Sequence, residues 1–527
     1  MELLGRSFIG GVRVSRGQTS FSAQNAVTGE SLEPVYFTAS MQDVHDAVSA
    51  ATAAFPLYAK TSAIARSGLL RAIADRLEQL GAAIVPRAMA ETALPQARLE
   101  GELARTCGQL RLFATVIEEG SWQNARIDRA LPERKPLPRP DLRSMLVPLG
   151  PVVVFGASNF PLAFSVAGGD TASALAAGNP VIVKAHPAHP GTSELAAAAI
   201  TQAIAESGLP AGIFSMLFDD NIAVGQQLVQ HPSVQAVAFT GSHRAGRALM
   251  NLCAARLQPI PCFTEMSSLN PVFVLPGALA SDPRGRAKGL HGSFTLGAGQ
   301  FCTKPGVVFF PETDGADVFR EELRSLTATS APFSMLHGGI ADAYHRGLED
   351  RRSLELNSDA ASESRSPQSH AVLLETSLEN FQKQAVLQEE LFGPSTLLVS
   401  WGEREKMLQA AEDLGGHLTA TLLGNEADIA AHADLIEILE RKVGRLLING
   451  FPTGVEVSHA MVHGGPYPAT SDSRFTSVGS QAILRFVRPR CYQNFPQAAL
   501  PEALRNENPL SIMRTVDGVM TRDPLQG

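Results

Sequence analysis

The chain has 527 residues, of which 44% are hydrophobic and 18% charged, and its formal net charge is −8. That composition is globular rather than disordered, and the length exceeds what one core fills, so two or three domains are expected. The negative charge excludes nucleic acid as an expected partner, and no apolar run reaches the roughly 18 to 20 residues that span a bilayer, which excludes a membrane.

Residues 7–14 read as strand, with a turn signal at Gly10-Gly11. Ser40 and Asp43 form a capping-box pattern before an alanine-rich helix reaching about residue 55. Leu69, Leu70, Ile73, Leu77 and Leu80 share one face of a second helix, which Gly81 ends or kinks, and helix continues to about 119. From 126 to 148 arginines alternate with Pro132, Pro136, Pro138 and Pro140, a pattern for an extended excursion rather than helix. A βαβ alternation then begins, with strands at 151–156, 180–184, 214–217 and 236–239 and helices over 162–177 and 192–207. Such alternation implies a doubly wound parallel sheet, with ligands beyond the carboxyl ends of its strands. Strands recur at 271–275, 306–310 and 445–449, and the polar stretch 357–368 reads as a mobile surface segment.

The five cysteines are Cys107, Cys253, Cys262, Cys302 and Cys491, an odd number with no Cys-x-x-Cys pair. This fits free thiols in a reducing compartment. No apolar signal core follows residues 1–6, so cytoplasm is the expected location. Four cysteines lack motif context and are expected as buried apolar thiols. Cys302 differs: it follows Phe301 just past the glycine-rich turn 296–300, a free sulfur where backbone can approach a ligand.

Four motifs carry candidate chemistry. Asn159, in Ser158-Asn159-Phe160-Pro161 after a buried strand, can donate its amide to a developing oxyanion. Thr240, Gly241 and Ser242 are small residues after another strand, where phosphates can approach a helix N-terminus. Glu265 and Glu390 are carboxylates whose setting alone leaves capping or solvated roles open. His459 and His463 have the spacing of two metal ligands on one helix face, but no third ligand is evident and no metal is expected.

Taken in order, Asn159-Phe160-Pro161, Lys184, Phe239-Thr240-Gly241-Ser242, Glu265, Gly299-Gln300-Phe301-Cys302 and Glu390-Leu391-Phe392-Gly393-Pro394 resemble the aldehyde dehydrogenase superfamily over nearly the whole chain. The resemblance implies an α/β fold with two doubly wound domains, one Rossmann-like for the cofactor and one catalytic, plus a small β oligomerisation arm. It places 1–124 and 148–265 in the NAD(P)-binding domain and 266–478 in the catalytic domain. The arm would be 125–147 with 479–498, ahead of a C-terminal tail at 499–527, and would build a homodimer or homotetramer. By resemblance Cys302 is the nucleophile, Asn159 with the Cys302 backbone N–H the oxyanion donor, and Glu265 the general base. Lys184 and Glu390 would bind the two riboses, with Ser158, Thr240, Gly241, Ser242 and Phe392 lining the cofactor cleft.

The chain departs from the family pattern twice. Ser267-Ser268-Leu269 stands where many members have Gly-Gly-Lys. Pro187 stands three residues after Lys184, where NAD-preferring members carry a glutamate that would repel a 2′-phosphate, so NADP is expected at least as readily as NAD. Residues 159–170, 184–190 and 463–470 look like the 2-oxoglutarate semialdehyde (2,5-dioxovalerate) dehydrogenases. The same features approach the fatty aldehyde dehydrogenases of luminous bacteria. For the first, Arg474 is the candidate partner of a substrate carboxylate. For the second, Phe160, Phe164 and Phe451 could line an apolar channel. Phe301 and Thr303 flank the thiol in either case. Acylation of coenzyme A, and an inactive binding relative, are the remaining alternatives.

Overall fold

The computed structural model describes residues 2–354, 356–360 and 368–525. Val152, Val154, Val181 and Val183 pack into one apolar cluster while Val153 and Ile182 pack into another. Alternation with a period of two thus buries both faces of one sheet, as expected when helices cover each side. That sheet has seven strands, in the order Cys262–Glu265, Ala236–Thr240, Val152–Phe155, Val181–Lys184, Phe214–Leu217, Ser7–Ile9 and Val12–Val14. The first five are parallel; the hairpin 7–14 adds antiparallel at the edge.

A second seven-stranded sheet repeats the logic. Its order is Asn357–Ala360, Val372–Ser377, Ser395–Trp401, Val307–Pro311, Val272–Val274, His417–Leu423 and Val443–Ile448. Phe273 and Phe309 belong to one cluster, Val272, Val308 and Phe310 to the other. A third sheet of five strands joins Val487–Gln493, Leu142–Pro148, Arg126–Asp128, Arg514–Val516 and Val519–Thr521. The proline-rich excursion therefore supplies two strands, and the last segment of the chain supplies two more. The latter are three residues each, too short to leave a sequence signal.

Ser40 and Asp43 form the anticipated capping box on the helix Met41–Tyr58. The helix anticipated over 162–177 starts only at Gly169. Before it, the N–H groups of Leu162 and Ala163 are bound by the buried Glu102 carboxylate at 2.9 and 3.0 Å. A Cβ at Gly168 would lie 2.5 Å from the Ala163 carbonyl oxygen, so the chain folds back there. The strand Cys262–Glu265 was not anticipated. Of the polar stretch 357–368, Asn357–Ala360 is an edge strand antiparallel to Val372–Ser377, while 361–367 lie outside the described residues. Cys107 and Cys253 are buried, but Cys491 is exposed on the edge strand Val487–Gln493, so the buried-thiol expectation fails there. Among the described residues no helix is long and apolar enough to cross a membrane.

Candidate active site

The parallel strands of the first sheet end together. Ser158 and Asn159 follow Val152–Phe155, Lys184 ends Val181–Lys184, Thr240 ends Ala236–Thr240, and Glu265 ends Cys262–Glu265. From Val152–Phe155 the chain runs outward on one side and returns on the other, so this strand is the switch point where such sheets open a ligand crevice. Lys184 is buried, and its Nζ donates to the Asp219 carbonyl at 2.8 Å. Burial lowers its pKa, against the opposing pull of Asp219 and Asp220. Ser242 caps the helix His243–Ala254 by accepting from the Ala245 N–H, leaving Gly241 and Ser242 exposed at the helix N-terminus.

Glu390 comes from the second sheet's side. It hydrogen-bonds Ser267 and the backbone of Ser268, and burial pushes its carboxyl up to about 7 against the attraction of Lys304. Lys304 is itself brought down to about 8 by burial, and its Nζ donates to the Leu391 and Ser395 carbonyls, both at 2.9 Å. The serine that replaces the family's glycine thus holds the carboxylate expected at a ribose. A buried ammonium, an exposed helix N-terminus and a carboxylate along one crevice fit the riboses and central diphosphate of a nicotinamide dinucleotide. Phe392 is half-buried beside Glu390.

Cys302 is delivered by a turn of left-handed residues, Gly297, Ala298 and Gly299. Gly299 is obligatory: a Cβ there would lie 2.1 Å from the Gly393 carbonyl oxygen, so the turn presses on the Glu390–Pro394 segment. Below it, the buried Asn270 donates its Nδ2 to the carbonyls of Cys302 and Lys304, each at 2.9 Å. Asn159 Nδ2 donates to the Gln300 carbonyl at 3.0 Å, which aims the amide at the same turn.

His463 completes the group, in a role the sequence reading did not give it. Its Nε2 lies 3.5 Å from Cys302 Sγ and 2.9 Å from Glu265 Oε1. Ser477 donates its hydroxyl to Glu265 Oε2 at 2.5 Å. Cys302, His463 and Glu265 have their reactive atoms within 4.8 Å of one another. The segment 459–463 is not helical and His459 is exposed, so the ligand spacing has no helix to carry it. The useful signal was instead the position of His463 in the run 463–470, which had marked the resemblance.

Burial raises the Cys302 thiol well above its usual range, reinforced by the charges of Glu265 and Glu390 and opposed by Arg105. Burial also acts to raise Glu265, but attraction to His463, with hydrogen bonds from His463, Ser477 and Cys302, holds it below the ordinary carboxylate range. The resting site is therefore a thiol beside an ionised carboxylate, with one imidazole nitrogen between them. That nitrogen, donating its hydrogen to the carboxylate, keeps Glu265 ionised as the acceptor of the thiol proton. A cavity of about 20 Å³ beside Glu265 and His463, lined also by Thr240, Thr470 and Asp472, has room for one water.

The remaining candidates divide. Phe160 packs edge-on against Phe164 at 5.2 Å and Phe301 at 5.3 Å, and Phe164 lies 6.3 Å from the His463 ring. These three wall the thiol. Thr303 is fully buried beneath the turn. Phe451 packs instead over Gly289, against the second sheet's outer core. Arg474 is exposed, paired with Asp472 at 2.5 Å and stacked on Phe475, so it does not reach the thiol's surroundings.

Residues 13–467 match the aldehyde dehydrogenase family. The chain is 49% identical to alpha-ketoglutaric semialdehyde dehydrogenase 2 of Azospirillum brasilense, over 98% of this chain and 99% of that one. It is 46% identical to alpha-ketoglutaric semialdehyde dehydrogenase of Acinetobacter baylyi, again over 98% and 99%. Its fold superposes on NADP-dependent glyceraldehyde-3-phosphate dehydrogenase from Bacillus halodurans, complexed with NADP, with a TM-score of 0.79 over 93% of this chain and 99% of that one. At 21% identity that likeness is one of fold.

Proposed function

The chain belongs to the aldehyde dehydrogenase family, and from that premise we propose that it oxidises 2-oxoglutarate semialdehyde to 2-oxoglutarate with a nicotinamide cofactor. The observation that carries the chemistry is the convergence of Cys302 Sγ, His463 Nε2 and the Glu265 carboxylate beside the Asn159 amide. The substrate is supported by the two relatives that match nearly end to end.

Cys302 Sγ attacks the aldehyde carbon, and its proton passes to the Glu265 carboxylate that the thiol hydrogen-bonds and from there to solvent, while His463 Nε2 keeps its N–H on Glu265. The carbonyl oxygen becomes an oxyanion, held by Asn159 and the backbone N–H of Cys302. One Nδ2 proton of Asn159 is already placed on Gln300, which orients the amide and leaves the other for the oxyanion. Glu390 would hold the nicotinamide ribose and Lys184 the adenosine ribose of a nicotinamide dinucleotide, which would supply the hydride acceptor. Thr240, Gly241, Ser242, Ser158 and Phe392 would line its cleft. Oxidation leaves a thioester on Cys302. Glu265 then takes a proton from water, the resulting hydroxide adds to the thioester carbon, and collapse expels the Cys302 thiolate and releases the carboxylate.

Pro187 leaves no carboxylate at the position where it would repel a 2′-phosphate, which supports use of NADP at least as well as NAD. Comparing kcat/KM for the two cofactors tests this, and a clear NAD preference rejects it. Phe160, Phe164 and Phe301 pack on one another and Phe451 lies elsewhere, so the phenylalanines anticipated for an apolar channel do not line one together, which disfavours a fatty aldehyde. The division at residues 265 and 266 follows the two large sheets, and the exposed edge strand Val487–Gln493 is the proposed contact of a cytoplasmic homo-oligomer. Deleting 126–143 should then change the sedimentation profile.

The reaction is tested by assaying wild type and Cys302→Ala on a panel of aldehydes, following reduced cofactor. Turnover that survives the substitution rejects the nucleophile. Turnover on no aldehyde rejects the enzyme reading.

A further inference from the structure

The helix Gln96–Glu119 directs Arg98, Glu102 and Arg105 toward the thiol, on positions that share a helical face. The Arg98 guanidinium lies 4.6 Å over the Phe160 ring and 4.4 Å over the Phe301 ring, and donates to the Asn159 carbonyl at 3.2 Å. Arg105 donates to the Val455 carbonyl. Arg445, on the strand Val443–Ile448 of the other large sheet, donates to the carbonyls of Gly454 and Pro452 at 2.9 and 2.8 Å. The charges of all three act on Cys302.

These cations are poorly matched by the protein itself. The one buried carboxylate among them, Glu102, already accepts two backbone N–H groups and meets Arg98 only at 3.6 Å. Arg105 Nε and Arg445 Nε are both buried without a hydrogen-bond partner. Burial lowers the pKa of both half-buried guanidiniums; Glu102 and the exposed Glu456 act on Arg105 from a distance, while Arg445 is opposed only by the charge of Cys302. Backbone carbonyls orient the two side chains but bring no negative charge. Two oriented guanidiniums from facing domains, with free Nε donors near the nucleophile, match the fork geometry of a carboxylate.

We propose that Arg105 and Arg445 bind the carboxylate at the far end of the substrate, with Arg98 bracing the Phe160–Phe301 wall, so that the site selects oxo-carboxylates over neutral aldehydes. This rests on the proposed reaction and assigns the residues that set its substrate class; Arg474 has no part in it.

The test measures kcat and KM for two aldehydes of equal chain length, 5-oxopentanoate and pentanal, in wild type, Arg105→Gln, Arg445→Gln and Arg445→Lys. The quantity read is the ratio of the two kcat/KM values within one preparation, from which any loss of folded enzyme cancels. Wild type should favour the acid. Each glutamine variant should lower the ratio by roughly 10- to 100-fold, through KM for the acid, and Arg445→Lys should restore part of it. A ratio unchanged in both glutamine variants overturns the assignment. So does a parallel fall of kcat on both substrates, which would make Arg105 a stabiliser of the thiolate only. Wild type that oxidises pentanal as well as the acid also overturns it, whereas wild type that oxidises neither overturns the reaction itself.

Discussion

Replacing His463 by Gln removes the group that keeps Glu265, the acceptor of the thiol proton, ionised and in place. Cys302 is held far above its usual range by burial and by the charges of Glu265 and Glu390, so attack at neutral pH requires a local proton acceptor. A positioned base contributes roughly 10²- to 10⁴-fold. Glu265 itself remains within 4.8 Å of Sγ but is less readily ionised, so the expected loss in kcat lies at the lower end, about 10²-fold. Glu265 also loses the attraction and hydrogen bond that hold it low, keeping only Ser477 and Cys302. In wild type its carboxyl is depressed, so activity that needs the ionised base persists above that low pKa and falls only in acid. In His463→Gln the acid limb should move upward by about one to two pH units, the worth of a charge-assisted hydrogen bond. The rate of iodoacetamide alkylation against pH, on enzyme free of cofactor, reads the thiol directly, and the kcat profile reads the base. Alkylation and kcat both within about three-fold of wild type, with an unmoved acid limb, would refute the proton path.

Glu102→Ala strips the acceptor from two buried N–H groups of the loop carrying Asn159. It should cost about 2–4 kcal/mol in urea unfolding and lower kcat; an unshifted midpoint would count against that anchoring. Zn²⁺ should inhibit reversibly by bridging Cys302, His463 and Glu265, a donor set it favours over Mg²⁺. EDTA should restore activity and His463→Gln should weaken inhibition at least about tenfold; equal inhibition of the variant would place the metal elsewhere. Pro187→Glu should move the ratio of kcat/KM for NADP over NAD downward, since it places a carboxylate where a 2′-phosphate would sit. No change in that ratio would mean the position does not face the ribose.

The sequence marks best what local chain carries. Asn159, Lys184, Thr240 and Cys302 each sit in a short run with its own conformational signature, at a strand end or a glycine turn, whereas Glu265, on a strand the sequence does not announce, is marked only by its place in the family order. His463, Asn270, Glu102 and Ser477 act through partners far away in the chain: His463 meets Cys302 across 161 residues, and Ser477 meets Glu265 across 212. Nothing in their neighbourhoods encodes that pairing, and the four-residue spacing of His459 and His463 suggested a helix that the glycines after it do not permit. The helix anticipated over 162–177 errs for a related reason. Its first turn has acceptable propensity, but a carboxylate from another helix competes for its N–H groups and wins. Arg474 fails as the partner of a substrate carboxylate because Asp472, two residues away, already neutralises it.

The proton path and the arginine pair are coupled through one charge. Arg105 is the cation that pulls the Cys302 thiol back toward ionisation. A substrate carboxylate on Arg105 cancels that pull just as the aldehyde arrives, so an anionic substrate makes the thiol harder to ionise and leans more on His463. The penalty of His463→Gln should therefore be larger on 5-oxopentanoate than on pentanal, and the difference should vanish once Arg105→Gln is added. A double-mutant cycle in kcat, run on both substrates, measures this coupling. Equal penalties on the two aldehydes in the wild-type background would show that the carboxylate docks beyond the reach of the thiol's field. Arg445, held by the loop 452–454 of the opposite domain, would then be the sole anchor, and only its substitution would change substrate preference.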